Sequence, residues 1–359
     1  MSIQQGFDFL IQWHLTERCN LRCLHCYQGD ALPGEMSSSE LGEVLEEVSD
    51  TFHAWEDAYG IPFSPSFNIT GGEPFVRTDL PRMLESIAAK HFDIFLLTNG
   101  TLVNKDRARM LREIGVKGVQ VSIDGPDDVH DLIRGEGSFD RAVDGIDHLL
   151  DSGLKVTVNV TLCRLNARCM KKVVAFASHM GVHRVGFSRL VPCGRGGELA
   201  GQMLSPREVK DLYESLFSLE VRNLEIVTGD PVAAQLKSLS SRRKKKEKKN
   251  HAGQEPVPRG GCAAGVSGLT FLSDGTIVPC RRLGIPIGDL RKDSIREVWA
   301  TSPVLEALRD KSRYTGKCGV CEKWEDCRGC RAIAYAWSCS RGGQDFLAED
   351  PQCFLAEHE

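Results

Sequence analysis

The stretch Thr16-Glu-Arg-Cys-Asn-Leu-Arg-Cys-Leu-His-Cys-Tyr27 sets three cysteines, Cys19, Cys23 and Cys26, in the spacing C-x3-C-x2-C. Three thiolates on one short loop can hold three irons of a cubane [4Fe–4S] cluster, because thiolates are the soft ligands such clusters select. The fourth iron then has no protein ligand and can take a chelate from outside the chain. The same donors would also suit a zinc knuckle completed by His25.

Outward from the loop, the chain alternates strands and helices. Residues 8–14 read as a buried strand feeding the loop. Ser37-Ser-Ser-Glu40 is a capping-box signature that starts a helix running to about Tyr59. Strands are expected at 67–70, 94–98, 118–123, 155–160 and 184–188. The helices between them fall at about 79–90, 105–114, 139–151 and 167–180. Near-continuous apolar strands alternating with helices imply a parallel sheet covered on both faces, with right-handed crossovers. A doubly wound open sheet and a partial barrel fit this pattern equally well. A further helix is expected from Ser205, with Pro206 at its first position.

The special residues fall at strand ends: the cysteine loop, Gly71-Gly-Glu-Pro74, Thr98 and Asn99, Ser122 to Gly125, Asn159, and Ser188-Arg189. The cysteine loop and Gly71-Gly-Glu-Pro74 together resemble the radical S-adenosylmethionine (SAM) superfamily. That family carries C-x3-C-x-aromatic-C after its first strand; here His25 fills the aromatic slot and Tyr27 follows. The resemblance decides the fold class as α/β, a partial (β/α)6 TIM-type barrel. It implies that SAM chelates the open iron, is cleaved reductively to a 5′-deoxyadenosyl radical, and that this radical takes a hydrogen from the substrate. It also implies that Glu73 accepts from the SAM ammonium, and that Gly71 and Gly72 let the backbone approach the ligand. Ser122 would face the ribose. Thr98, Asn99, Asp124, Arg134 and Asn159 would complete the pocket with His25 and Tyr27.

Fourteen cysteines without a secretory signal argue for metal sites over disulfides. Apart from Cys163, Cys169 and Cys193, they sit at the two ends of the chain. The C-terminal group resembles a SPASM domain, the auxiliary-cluster extension of many radical SAM enzymes. Cys262-x12-Gly275-x4-Cys280 and Cys318-x2-Cys321-x5-Cys327 match its pattern, Cys330 follows after two residues where three are usual, and Cys353 stands apart. The resemblance assigns Cys318, Cys321, Cys327 and Cys353 to an outer cluster and Cys262, Cys280 and Cys330 to an inner one. The expected total is three [4Fe–4S] clusters plus SAM. A fourth inner ligand is missing: either Cys339 completes that cluster or one iron is open. Ser273-Asp-Gly275 between apolar runs predicts a hairpin that brings Cys262 and Cys280 to the same end.

The expected division is a barrel over 1–225, a linker over 226–260 carrying the basic run 242–249, and a SPASM domain over 261–359. The run reads as a solvated loop. At a net charge of −4, no general attraction to nucleic acid or an anionic membrane is expected. No apolar stretch reaches the roughly 18 residues of a membrane span, so a cytoplasmic protein is expected. Cys193, at the barrel mouth, could donate a hydrogen or touch substrate. Arg281 and Arg282 suit an anionic group, a peptide carboxylate or a porphyrin propionate.

The first functional expectation is a maturase that modifies a ribosomally made peptide or protein, by thioether formation or crosslinking. The barrel is expected to begin at once, so a separate recognition protein or the barrel edge would hold the peptide, and flavodoxin or ferredoxin would supply electrons. The second is tetrapyrrole side-chain chemistry, since the segments around 191–196 and 327–335 look like those of haem-biosynthetic radical SAM enzymes. The third is a non-catalytic iron–sulfur or zinc protein.

Overall fold

The structure, a computed structural model, describes residues 7–236 and 258–355. Seven strands follow one another: β1 Phe7–His14, β2 Phe63–Thr70, β3 Asp93–Thr98, β4 Gly118–Ser122, β5 Val156–Leu162, β6 Arg184–Arg189 and β7 Glu225–Thr228. They pair in chain order, each parallel to the one before. A helix crosses back between every pair: Ser38–Tyr59, Leu80–Ala89, Lys105–Ile114, Ser138–Asp151, Met170–His179 and Pro206–Phe217. Parallel neighbours require such crossovers. The first and last of these helices both start in the capping box the sequence allows, Ser37 with Glu40 and Ser205 with Glu208. One face of the strands is buried, as in Ile11, Trp13, Phe67, Ile69, Leu96, Val121 and Val158, while the residues between them, such as Gln12, Asn68, Gln120 and Asn159, are half-buried on the other face.

The C-terminal part is welded to this sheet. Strand β8, Gly268–Phe271, lies parallel to β1 on the side away from β2. Strands β9, Thr276–Val278, and β10, Gly288–Asp289, continue outward antiparallel. The expected Asp-Gly hairpin is therefore β8–β9. One hydrophobic core runs through both parts and includes Phe9, Phe271, Ile277, Leu305 and Ile333. Trp299 packs on Phe9 of β1 with ring centroids 5.0 Å apart.

One boundary changes. Strand β7 and the 3-10 turn Pro231–Gln235 occupy residues assigned to the linker, so the barrel edge runs past residue 225. With only four residues, Glu225-Ile-Val-Thr228 gives too short an apolar run to stand out in the sequence. The basic run 242–249 lies outside the described residues.

A buried ionic joint ties the two parts together. Arg189, at the end of β6, has no solvent-exposed side-chain surface. Its guanidinium donates to Asp230 at 2.5 and 2.8 Å, to Asp350 at 2.9 and 2.7 Å, and to Gln352 at 2.9 Å. Tyr213 donates to Asp230 at 2.6 Å. Burial opposes the charge on Asp350, but Arg189 outweighs it and holds the carboxyl below its usual range. Replacing Arg189 with Met strands two buried carboxylates, which should cost about 3–5 kcal/mol at neutral pH. The wild-type contribution of Asp350 is present above the unfolded carboxylate pKa of about 3.9 and is lost as pH falls through the depressed folded value. In the variant, burial without the cation raises that pKa, so the carboxylate takes up a proton sooner. Denaturant midpoints of the two proteins should therefore differ most at pH 7 and converge on acidification.

Candidate active site

The loop after β1 and the turn after β2 are held together by their backbones. The amide of Gly72 donates to Thr16 at 2.7 Å and that of Glu73 donates to Arg18 at 2.9 Å. A Cβ on Gly71, whose φ is +150°, would lie 2.3 Å from the Thr16 carbonyl oxygen, and one on Gly72 would lie 2.3 Å from that of Arg18. The glycines thus serve close approach to the cysteine loop, where approach to a ligand was expected.

Cys19, Cys23 and Cys26 line one cavity at the C-terminal ends of the strands. The expected residues His25, Tyr27, Gly71, Gly72, Thr98, Asn99, Ser122, Arg134, Asn159 and Arg281 line it too. Arg189, Arg195 and Arg282 add three further cations. Cys19 accepts from the Leu21 amide at 3.4 Å and from Asn99 Nδ2 at 3.8 Å; Cys23 accepts from Arg134 Nη1 at 3.8 Å.

Glu73 and Asp124 stand behind the lining. Glu73 is completely buried and does not line the cavity. Its carboxylate accepts from Thr98 Oγ1 at 2.8 and 2.9 Å, from the Asn99 amide at 2.8 Å and from the Phe75 amide at 3.2 Å. Burial pushes its pKa up against these bonds. It positions Thr98 and Asn99 from behind the lining. Asp124 is also fully buried, behind the lining. One oxygen takes His25 Nε2 at 2.6 Å and Arg134 Nε at 2.5 Å; the other takes the Thr161 amide at 2.8 Å. Burial works against its charge, but Arg134 and His25 hold it well below the usual range. It fixes two residues of the cavity wall by one carboxylate. His130, which the sequence reading missed, accepts from the Asp124 amide at 3.2 Å. Burial and the Arg134 cation lower it to about 4, so it stays neutral. A lone histidine on a helix gave no signal for this role.

Tyr27 sits with its hydroxyl 3.3 Å from His14 Nε2 and its ring under the Arg281 guanidinium, 5.5 Å from centroid to carbon. Cys193 is placed outside the cavity lining. Its thiol faces the Tyr27 carbonyl at 3.7 Å, and burial pushes it up to about 11.

The C-terminal cysteines form two groups. Cys318, Cys321, Cys327 and Cys353 line a cavity of about 410 Å³. Cys262, Cys280 and Cys330 line a second, of about 140 Å³. Cys339 is exposed at the end of the helix Arg331–Cys339 and lines neither. Arg282 lines both the second cavity and the one at the cysteine loop. Its Nε is buried without a hydrogen-bond partner, while its Nη1 donates to the Arg189 carbonyl at 3.4 Å.

The donor sets fit iron–sulfur clusters. A single zinc ion needs sulfurs about 2.3 Å from one centre, whereas a cubane takes each thiolate at a separate iron. Among the described residues, no three His, Cys, Asp or Glu side chains converge as a single ion requires. Burial pushes the Cys19 and Cys330 thiols up, and a bound metal would displace their protons.

The chain matches the Radical SAM superfamily over residues 13–177 and SPASM, an iron–sulfur cluster-binding domain, over residues 262–331. It is 30% identical over 354 residues to AdoMet-dependent heme synthase of Nitratidesulfovibrio vulgaris, an alignment covering 96% of this chain and 91% of that one. The chain belongs to the radical SAM superfamily. It is a SAM-using enzyme with iron–sulfur clusters. Mycofactocin maturase MftC of Mycobacterium tuberculosis is 27% identical over 385 residues, 100% of this chain and 86% of that one. The crystal structure of Streptococcus suis SuiB bound to S-adenosylmethionine superposes with a TM-score of 0.73 at 16% identity, covering 98% of this chain and 78% of that one, which is a likeness of fold. No helix among the described residues is long and apolar enough to cross a membrane.

Two outcomes follow for this radical SAM site. Asp124→Asn keeps the shape but removes the charge that orients His25 and Arg134. It should weaken SAM binding by about tenfold or more, the usual effect of losing such a support, with iron content unchanged; anaerobic calorimetry with SAM and an iron assay measure both. Gly72→Ala should force the cysteine loop outward, lowering iron occupancy and the unfolding temperature. Gly42→Ala, where a Cβ meets nothing within 4 Å, should do neither.

Proposed function

We propose that this enzyme acts on a carboxylate-bearing tetrapyrrole, holding a propionate with Arg281 and Arg282. The observation that carries this reading is Arg282: one guanidinium shared by two cysteine-lined cavities, with a buried donor that has no partner among the described residues. A buried donor left unsatisfied costs about 1–3 kcal/mol, and an acceptor from the substrate removes that cost. The other cavity-lining arginines already have carboxylate partners: Arg134 with Asp124, Arg189 with Asp230 and Asp350, and Arg195 with Asp30 at 2.9 Å. Arg281 rests on the Tyr27 ring, which leaves its N–H fork for a carboxylate. The similarity to haem synthases over nearly the whole chain supports the same substrate class.

Cys19, Cys23 and Cys26 would hold the SAM-binding cluster; Cys262, Cys280 and Cys330 the inner auxiliary cluster; Cys318, Cys321, Cys327 and Cys353 the outer one. When bound, SAM and the first cluster supply one-electron cleavage of a sulfonium and the hydrogen-abstracting power that comes from it. The chain orients and shields. Asn99 and Arg134 reach the cysteine sulfurs, Asp124 locks Arg134 and His25, and Ser122 and Asn159 form the wall beyond. Arg282 sets the substrate carboxylate between the loop cavity and the inner cysteines. A reducing partner such as flavodoxin or ferredoxin would feed the clusters.

Peptide modification is the second reading, favoured by similarity to mycofactocin maturase across the full chain. A separate recognition protein would then present the peptide, whose carboxylate could meet the same arginines.

The test is anaerobic titration of the reconstituted enzyme with a porphyrin bearing free propionates and with its methyl ester, read by the Soret shift and by release of 5′-deoxyadenosine. The free acid should bind and stimulate release; the ester should not. Arg282→Gln should weaken binding of the free acid by about tenfold or more, the scale of a hydrogen bond to a charged group. Equal binding of acid and ester, or stimulation only by a peptide, would overturn the tetrapyrrole reading.

A further inference from the structure

The four outer cysteines differ from the other sets in the number of N–H groups aimed at their sulfurs. Cys321 accepts from the Lys323 amide at 3.4 Å, Cys327 from the Gly329 amide at 3.4 Å, and Cys318 from Arg331 Nη2 at 3.7 Å. Gln235 adds two more through a single amide group: its Nε2 lies 3.4 Å from Cys353 and 3.6 Å from Cys327.

Gln235 does not come from the cysteine-rich part. It ends the 3-10 turn Pro231–Gln235, directly after β7 at the barrel edge. Its side chain is buried and lines the cavity shared by the four cysteines. The orientation of its amide is fixed on chemical grounds. The Phe354 backbone N–H donates to Oε1 at 3.2 Å, so the carbonyl must face Phe354 and the NH2 group must face the sulfurs. The flipped amide would set two donors against each other and an oxygen against two thiolates.

A donor pointed at a ligating sulfur stabilises the more negative, reduced form of a cluster more than the oxidised form, and so raises its reduction potential. We propose that Gln235 is a positioning residue that raises the potential of the outer cluster by donating to two of its four thiolates. The barrel edge thereby sets the redox poise of a centre belonging to the other half of the chain. This inference rests on the assignment of Cys318, Cys321, Cys327 and Cys353 to one cluster.

The test uses the full-length, anaerobically reconstituted enzyme and does not depend on turnover. Gln235→Glu is close to isosteric and keeps the acceptor for the Phe354 amide, but it replaces the donor with a charge. Gln235→Leu removes the donor without adding a charge, so it carries the test. Midpoints are read by redox titration followed by electron paramagnetic resonance, with iron and sulfide counted on the same samples. The expected result is one auxiliary midpoint moved to a more negative value in both variants, by about tenfold in the reduction equilibrium (59 mV for one electron). The other signals and the iron count should stay as in the wild type. Unchanged midpoints with full iron in Gln235→Leu would overturn the proposal. So would wild-type enzyme that carries no cluster dependent on Cys318 and Cys353, tested with Cys318→Ala and Cys353→Ala; that outcome would show the ligand assignment itself to be wrong.

Discussion

One buried cation, Arg189, holds the two halves of this enzyme in register. It leaves the end of the last long barrel strand and meets Asp230 from the barrel edge and Asp350 from the C-terminal part, with no side-chain surface exposed to water. Asp350 in turn accepts the backbone amide of Cys330 at 2.8 Å, while Gln352, beside Cys353, accepts from the same guanidinium. The inner and outer cysteine groups are therefore both positioned from the barrel mouth. Two charges of one sign around one of the other, each with further hydrogen bonds, is the condition under which a buried ion pair can hold without a large desolvation penalty.

The same logic repeats around the cysteine loop. Glu73 and Asp124 are the most buried carboxylates near the cavity, and neither lines it. Each spends its oxygens on the residues that do: Thr98 and Asn99 in one case, His25 and Arg134 in the other. Fixing the wall in advance is what a site for reactive intermediates requires, since a wall that moves admits water and side reactions. Arg281 and Arg282 stand out against this background because their charges are not consumed by the frame.

Much of this was legible in the sequence. The SPASM resemblance divided the C-terminal cysteines into two sets, and the radical SAM resemblance chose a partial barrel where the β–α alternation alone fitted an open sheet equally well. The helix starts followed from Ser37 and Ser205, whose capping partners lie three residues on. The seventh strand was not legible, because Glu225-Ile-Val-Thr228 is short and takes its strand character from pairing with β6. The placement of Glu73 and Asp124 was hidden for a related reason: a motif gives the residue type, and only the fold shows whether the carboxylate faces the cavity or stands behind its lining. Gln235 and Asp230 lie far along the chain from Cys353 and Asp350, which only tertiary packing brings to them. The substrate was least legible, since one pair of arginines serves a propionate and a peptide carboxylate alike.

The ligand assignment can be tested by metal content and Mössbauer spectroscopy of the anaerobically purified, reconstituted full-length enzyme. Three cubanes, one on each cysteine group, require roughly twelve irons per chain, spectra of the [4Fe–4S] type, and loss of about four irons when Cys19, Cys23 and Cys26 are replaced together by Ala. Zinc in place of iron at that loop, or iron that survives the triple replacement undiminished, would contradict the assignment.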